Sequence, residues 1–187
     1  RMAAQECDCD FSTSGDIVFY PEYLEFIEKT TIIEPLERRG VDQNLWIWQP
    51  ADYTRQYMIS ADVARGDGKD YSAFHIFDVE SATQVGEYKG QIGTKDFGNI
   101  LVAMATEYNN ALLAVENANI GWSTIQTIIE KNYPNLYYSP KADNVSVDSY
   151  LANYENNASM TAGFTMSSRT RPMVIGKFQE YVADKGV

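Results

Sequence analysis

Residues 58–71, MISADVARGDGKDY, decide how the rest of the chain is read. The first half is an apolar run that ends in a carboxylate, Asp62, and the second is a Gly-rich turn carrying Arg65, Asp67, Lys69 and Asp70. Beyond the turn, Ser72 to Val79 (SAFHIFDV) is again apolar, with β-branched and aromatic residues bounded by charge. The pattern predicts a strand, a polar turn and a returning strand. A carboxylate placed where a buried strand opens into a turn is held rigidly and still reaches solvent, as a metal ligand must be.

Downstream, Thr83 to Ile92 (TQVGEYKGQI) reads as a third strand after Gln56 to Asp62 and Tyr71 to Val79. The connections are short, so the economical topology is a three-stranded antiparallel meander. A helix is expected from Thr94 as N-cap, because Phe97, Ile100, Leu101, Met104, Ala105 and Tyr108 share a face at helical spacing, and Asn109 and Asn110 end it. Ala111 to Glu116 (ALLAVE) is nearly continuous in apolar residues, the signature of a strand covered on both faces, and it follows a helix as a parallel crossover requires. It too ends in a carboxylate.

Trp122, Ile125, Ile128 and Ile129 then give a helix an apolar stripe, Pro134 stops it, and Leu136 to Ser139 (LYYS) is a short strand. Asp143 to Gly163, rich in Asn, Ser and Asp, reads as a long surface loop with room for a hairpin. A last helix has Ser167, Ser168 and Thr170 as candidate caps, Pro172 in its first turn, and a face of Met173, Val174, Phe178, Tyr181 and Val182. Upstream, Leu45 to Trp48 (LWIW) looks like a strand broken by Pro50, and Pro21 to Lys29 suits a short helix with Tyr23, Phe26 and Ile27 on one side. Residues 1–20 read as a lead-in, and so abrupt a start suggests an excised fragment.

The chain's 187 residues, 44% apolar and 22% charged, are those of an ordinary globular domain. No apolar run approaches the roughly 18 residues of a membrane span and the N-terminus is not a signal peptide, so the expectation is a soluble intracellular protein with no membrane partner. Cys7 and Cys9 stand one residue apart, which suits neither a disulfide staple nor a zinc site. The formal charge of -11 is the opposite of a stand-alone nucleic-acid binder's. Were DNA the substrate, a local basic patch, bound metal ions or another domain would have to offset the repulsion.

A meander followed by helix, strand, helix, strand makes a mixed sheet, and right-handed crossovers bring the fourth strand beside the first. Asp62 and Glu116 then sit at neighbouring strand ends. Two clustered carboxylates without Cys or His present hard oxygen donors, which select Mg²⁺ or Mn²⁺ over Zn²⁺. On phosphodiesters such ions serve two-metal hydrolysis: one lowers the pKa of a water, the other stabilises the leaving oxygen, about 4 Å away.

Each acid also has a plainer reading. An Asp before a Gly-containing turn is as readily a cap as a ligand. Glu116 after ALLAV is harder to explain as structure alone, because Glu is a poor residue to leave at the end of a buried strand without a partner. Asp70 either caps the turn or reaches back as a third ligand. His75 reads as a sheet-face or core histidine, and Asp67 and Asp78 as solvated. Gly66 to Lys69 lacks the spacing of a phosphate loop and precedes a strand rather than a helix, so nucleotide binding is rejected. Arg65, Lys69, Arg169, Arg171 and Lys177 are the cations expected near the site as phosphate contacts.

At ADVARGDGKDYSAF, AVENANIGW and GFTMSSRTRP, in that order and spacing, the chain resembles the nuclease domain of the large terminase of tailed bacteriophages, from about Phe11 to the end. The segment QECDCDFSTSG resembles the junction that follows the family's ATPase domain, so residues 1–20 become an interdomain junction and 21–187 the nuclease domain. The resemblance implies an RNase H-like fold, α/β with the meander plus parallel strands and flanking helices. It implies a Mg²⁺- or Mn²⁺-dependent endonuclease that cuts concatemeric double-stranded viral DNA during packaging, in the cytoplasm of the infected bacterial host. The implied partners are the ATPase domain of the same protein, the portal and the small terminase.

Residue by residue, Asp62 matches the family's first-strand catalytic Asp, Glu116 the fourth-strand Glu and Asp70 an accessory acid. The family's third catalytic carboxylate lies in an Asp-rich motif beyond the last helix, and is expected after Val187. Two other readings stand beside this one: another RNase H-fold nuclease of junction-resolvase or transposase type, and a non-catalytic docking module for a portal or ATPase domain.

Overall fold

Tyr57, Ile59 and Ala61 turn to one side of β3 (Tyr57–Asp62) and are buried, while Ser60 and Asp62 turn to the other and are exposed. That period of two is what a half-covered strand requires. The same alternation buries Ser72, Phe74, Ile76 and Asp78 along β4 (Ser72–Asp78) and Gly86, Tyr88 and Gly90 on β5 (Thr83–Gly90), where Val85 is also buried beside the register shift. The three strands form the expected antiparallel meander, with a register shift between Ile76 and Phe77.

The computed structural model describes residues 18–68, 70–140 and 160–185. The chain divides into two units, residues 35–166 and residues 1–34 with 167–187. In the first unit, β1 (Glu37–Arg39) and β2 (Leu45–Ile47) extend the meander antiparallel, and β6 (Leu112–Val115) adds parallel to β3. The sheet order is β1-β2-β5-β4-β3-β6, so the fourth of the predicted strands does lie beside the first. The sequence pattern did not reveal β1. It is a three-residue charged edge strand, ERR, and short charged edges discourage pairing with other chains while carrying no apolar signal.

Helices α2 (Thr94–Glu107) and α3 (Gly121–Glu130) supply the side chains that cover one face of the sheet. Phe74 stacks on Tyr88 at 5.4 Å and Phe97 packs against both, while Tyr57 meets Tyr108 edge-on. The buried tyrosines keep their polar ends satisfied: Tyr108 donates to the Gln49 carbonyl at 2.7 Å and Tyr133 to that of Ala111 at 2.6 Å. Burial pushes the Tyr133 hydroxyl up to about 12.

Two details of the helices differ from expectation. Thr94 is the first helical residue rather than the cap, Gly93 holds the cap position, and the Thr94 hydroxyl bonds that of Ser123 at 2.8 Å. Of the expected stripe on α3, Ile125 and Ile128 are buried but Trp122 and Ile129 are exposed, and Gly121, Thr124 and Thr127 are buried in addition. The reason is a close helix crossing at Gly98, where a Cβ would stand 3.0 Å from Thr127 Cβ. Small and hydroxyl-bearing residues fit there, and Thr124 donates to the Thr94 carbonyl at 3.0 Å. Asn109 and Asn110 end α2 as read, both in the left-handed region at φ 54°.

β7 (Tyr138–Pro140) pairs antiparallel with β8 (Met160–Ala162). The loop expected from Asp143 lies outside the described residues, and its last part, from Met160, is β8.

The second unit holds α1 (Pro21–Thr30), with Pro21 at its first position, and α4 (Thr170–Lys185). Ser167 and Thr170 cap α4 reciprocally: the Thr170 N–H donates to Ser167 Oγ at 3.1 Å and the Ser167 N–H to Thr170 Oγ1 at 2.8 Å. Phe19 packs edge-on to Phe178 at 5.3 Å. Of the apolar face read along α4, Val182 is buried while Met173, Val174, Phe178 and Tyr181 stay exposed. No described helix is long and apolar enough to cross a membrane.

Candidate metal centre

The register of the parallel pair runs from Met58 opposite Leu112 to Ala61 opposite Val115. Carried one residue further, it sets Asp62 opposite Glu116, and the Glu116 N–H donates to the Ala61 carbonyl at 3.0 Å. Residues opposite each other in a ladder share a face. Ala61 and Val115 both point into the core. Asp62 and Glu116 therefore emerge together on the other face, at the carboxyl ends of adjacent parallel strands. Asp62 is exposed and Glu116 partly so, and no described residue donates a hydrogen bond to the Asp62 carboxylate.

The backbone at Glu116 is fixed from both sides. On its free edge the Phe164 N–H donates to the Val115 carbonyl at 2.7 Å and the Asn117 N–H to the Phe164 carbonyl at 3.0 Å. Asn117 is buried and spends its side-chain amide on the Ala162 carbonyl at 3.0 Å and Thr165 Oγ1 at 2.9 Å. Ser139 continues the network, accepting from the Thr165 N–H at 2.9 Å and donating to the Gly163 carbonyl at 2.8 Å.

Two glycines make this closeness achievable. A Cβ on Gly121 would lie 2.0 Å from the Glu116 carbonyl oxygen, and one on Gly163, at φ +82°, would lie 2.6 Å from that of Val115. The Glu116 motif and the Gly163 motif, distant in sequence, thus meet at one strand end. Sequence reading singled out both motifs but missed Asn117, Ser139 and the two glycines as the groups that join them. The one sequence signal for them was the glycine in each of AVENANIGW and GFTMSSRTRP.

The turn after Asp62 is also pinned. Ser72 Oγ accepts from the Ala64 N–H at 3.0 Å, and Gln91 donates to the Gly68 carbonyl at 2.9 Å. Gly66 has φ +80°, and a Cβ there would lie 2.2 Å from the Ile92 carbonyl oxygen. Arg65, Asp67 and Asp70 stand exposed on this turn, Asp67 as read, and Lys69 lies outside the described residues. Arg169, Arg171 and Lys177 belong to the helical unit, where all three are exposed and Lys177 pairs with Glu180 at 2.8 Å. His75 is the expected sheet-face histidine, with Nδ1 3.8 Å from Glu87.

Asp78 corrects the sequence reading. It is buried rather than solvated, ion-paired with Arg55, and it accepts the N–H groups of Glu80 at 2.9 Å and Ser81 at 3.2 Å. Burial alone would raise its pKa, but Arg55 and the two backbone donors outweigh that and hold it below the usual carboxylate value.

Whether this centre suits a metal is decided by its donors. Two carboxylates share a face at adjacent strand ends, and their backbones are fixed. They fit part of an oxygen-ligand set for a hard divalent ion. Among the described residues no group of three metal-ligating side chains forms, so the fit is of two ligands, with Asp70 on the adjoining turn.

No protein-family model matches the sequence, and no curated protein does. Solved structures match. The large terminase nuclease from thermophilic phage G20c with bound magnesium superposes with a TM-score of 0.63 at 16% identity, over 93% of this chain and 74% of that one. The same nuclease with bound zinc gives 0.61 at 18% identity, over 91% and 78%. The large terminase nuclease domain of Thermus phage P74-26 gives 0.56 at 17% identity, over 92% and 70%. The chain has the RNase H-like fold of these large terminase nuclease domains.

Proposed function

We propose that this chain is a metal-dependent endonuclease domain of a phage DNA-packaging terminase, cutting double-stranded DNA by two-metal hydrolysis. The observation that carries the reading is the strand register, which brings Asp62 and Glu116 out on one face. Asp62 and Glu116 hold Mg²⁺ or Mn²⁺, and Asp70 adds a ligand from the turn. When bound, the ions supply an activated water and charge stabilisation at the leaving oxygen. The chain's own contribution is rigidity: the carboxylates hang on backbone pinned by the Asn117 network and by the turn glycine Gly66, so little reorganisation is needed when ions bind.

Arg65, Lys69, Arg169, Arg171 and Lys177 take DNA phosphates. Residues 21–187 act as the nuclease domain after a junction over residues 1–20. The ATPase domain of the same protein, the portal and the small terminase are its partners, in the cytoplasm of the infected host. Plasmid cleavage by the full-length protein with Mg²⁺ or Mn²⁺ tests the reading. Asp62→Asn and Glu116→Gln should each abolish it. Cleavage at the parental rate by either variant contradicts the proposal, and cleavage confined to branched DNA moves it to a resolvase-type nuclease.

A further inference from the structure

We propose that Lys89, steadied on the ring of Tyr71, is a phosphate-binding residue of the same site, taking a phosphate that flanks the one being cut; this rests on the nuclease reading above. Neither residue carries a role in that reading. The pairing registers place Asp62 opposite Ala73 and Ala73 opposite Lys89. With Glu116 next to Asp62 on the other side, one row runs straight across the sheet: Glu116, Asp62, Ala73, Lys89. All four share the face away from the core, since their neighbours Val115, Ala61, Phe74 and Tyr88 are the buried ones.

Strands stand about 4.8 Å apart, so the Lys89 backbone lies about 10 Å from that of Asp62. The side chain between them, on Ala73, is only a methyl. Successive charges of one DNA strand rise about 3.4 Å along the duplex axis, so a duplex with one phosphate over the carboxylates brings others to this lysine.

The ammonium is uncommitted and held. Lys89 is exposed and ion-pairs with no described carboxylate. The acid nearest along its own strand face, Glu87, is engaged by Gln84 at 2.8 Å and lies 3.8 Å from His75. Lys89 Nζ sits 5.0 Å from the centroid of the Tyr71 ring, which is itself half exposed. A cation held over an aromatic face gives up rotamer freedom before any ligand arrives. In a chain of net charge -11, a positive group in line with the two carboxylates offsets the repulsion that DNA meets there.

The test is duplex binding by the full-length protein, read by fluorescence anisotropy with Ca²⁺ replacing Mg²⁺, over a range of salt concentrations. For Lys89→Gln the slope of log affinity against log salt should become shallower by about 0.9, so a fourfold rise in salt costs the parent about 3.5-fold more affinity than the variant. In cleavage assays the loss should fall on KM rather than kcat. Lys89→Arg should restore the slope, and Tyr71→Leu should give a smaller loss in the same direction. An unchanged slope for Lys89→Gln in a protein that still cuts DNA overturns the proposal and leaves the nuclease reading intact. A parent protein that neither binds nor cuts DNA overturns both.

Discussion

Asp62 and Asp78 close the two strands of one hairpin at opposite ends of the sheet, and they meet opposite surroundings. Asp78 points to the covered face, opposite Tyr57, where Arg55 and two backbone N–H groups fill its lone pairs. Asp62 points to the other face, exposed, with no hydrogen bond from a described residue. A carboxylate that the protein satisfies internally is spent on stability, because removing a partner leaves a buried charge behind. One left open beside a second carboxylate is available to a cation.

Exchanging the two fates by mutation is the strongest way to break this contrast. Asp62→Asn should cut plasmid cleavage by about a thousandfold or more, since a metal ligand supplies several kcal/mol to the transition state, while urea denaturation stays within about 0.5 kcal/mol of the parent. Asp78→Asn should do the reverse, keeping cleavage at 25 °C while losing about 2–3 kcal/mol of stability. That is below the range for a fully buried pair because the Arg55 side chain is 42% exposed. Loss of stability in Asp62→Asn equal to that in Asp78→Asn removes the distinction.

The rigidity of the site end is tested by Gly121→Ala. The new Cβ must displace the Glu116 carbonyl or the start of α3, at about 1–3 kcal/mol, and divalent-metal affinity should fall with it. Gly93→Ala is the control: its Cβ has nothing within 4 Å and its φ of -64° suits alanine. Denaturation and metal titration of the pair separate a tight contact from a general loss of glycine.

The smallest effect lies in acid. The pKa of Asp78 is lowered in the folded state, so its contribution is complete above the unfolded value of about 3.9 and is lost as the pH falls through the folded one. The parent should therefore weaken below about pH 4. In Asp78→Asn that part of the acid limb should be missing when urea denaturation is followed from pH 7 to pH 3.

What could be read beforehand follows from how local each signal is. The strands of the meander, α2 and the apolar strand β6, which is buried on one face only, declare themselves by residue patterns a few positions long. Asp78 did not, because SAD-Val at Asp62 and IFD-Val at Asp78 are the same local pattern, an apolar run closed by Asp and Val. Their difference lies in Arg55, which is 23 residues upstream of Asp78 and reaches it only through the fold. Trp122 looked like core for the same reason: helical spacing ranks it with Ile125, but the crossing at Gly98 turns the hydroxyl-bearing face inward. The two acids of the site were legible as strand ends. The Asn117, Ser139 and Thr165 network that fixes one of them was not, since its members come from three separate segments.

Calorimetric titration of Mn²⁺ into the full-length protein, its Asp62→Asn and Glu116→Gln variants, and Asp78→Asn bears most directly on the pairing of Asp62 with Glu116. Each of the first two variants should bind the ion at least about tenfold more weakly, and Asp78→Asn should bind as the parent does. Unchanged binding in Asp62→Asn and Glu116→Gln would contradict a metal centre at these strand ends.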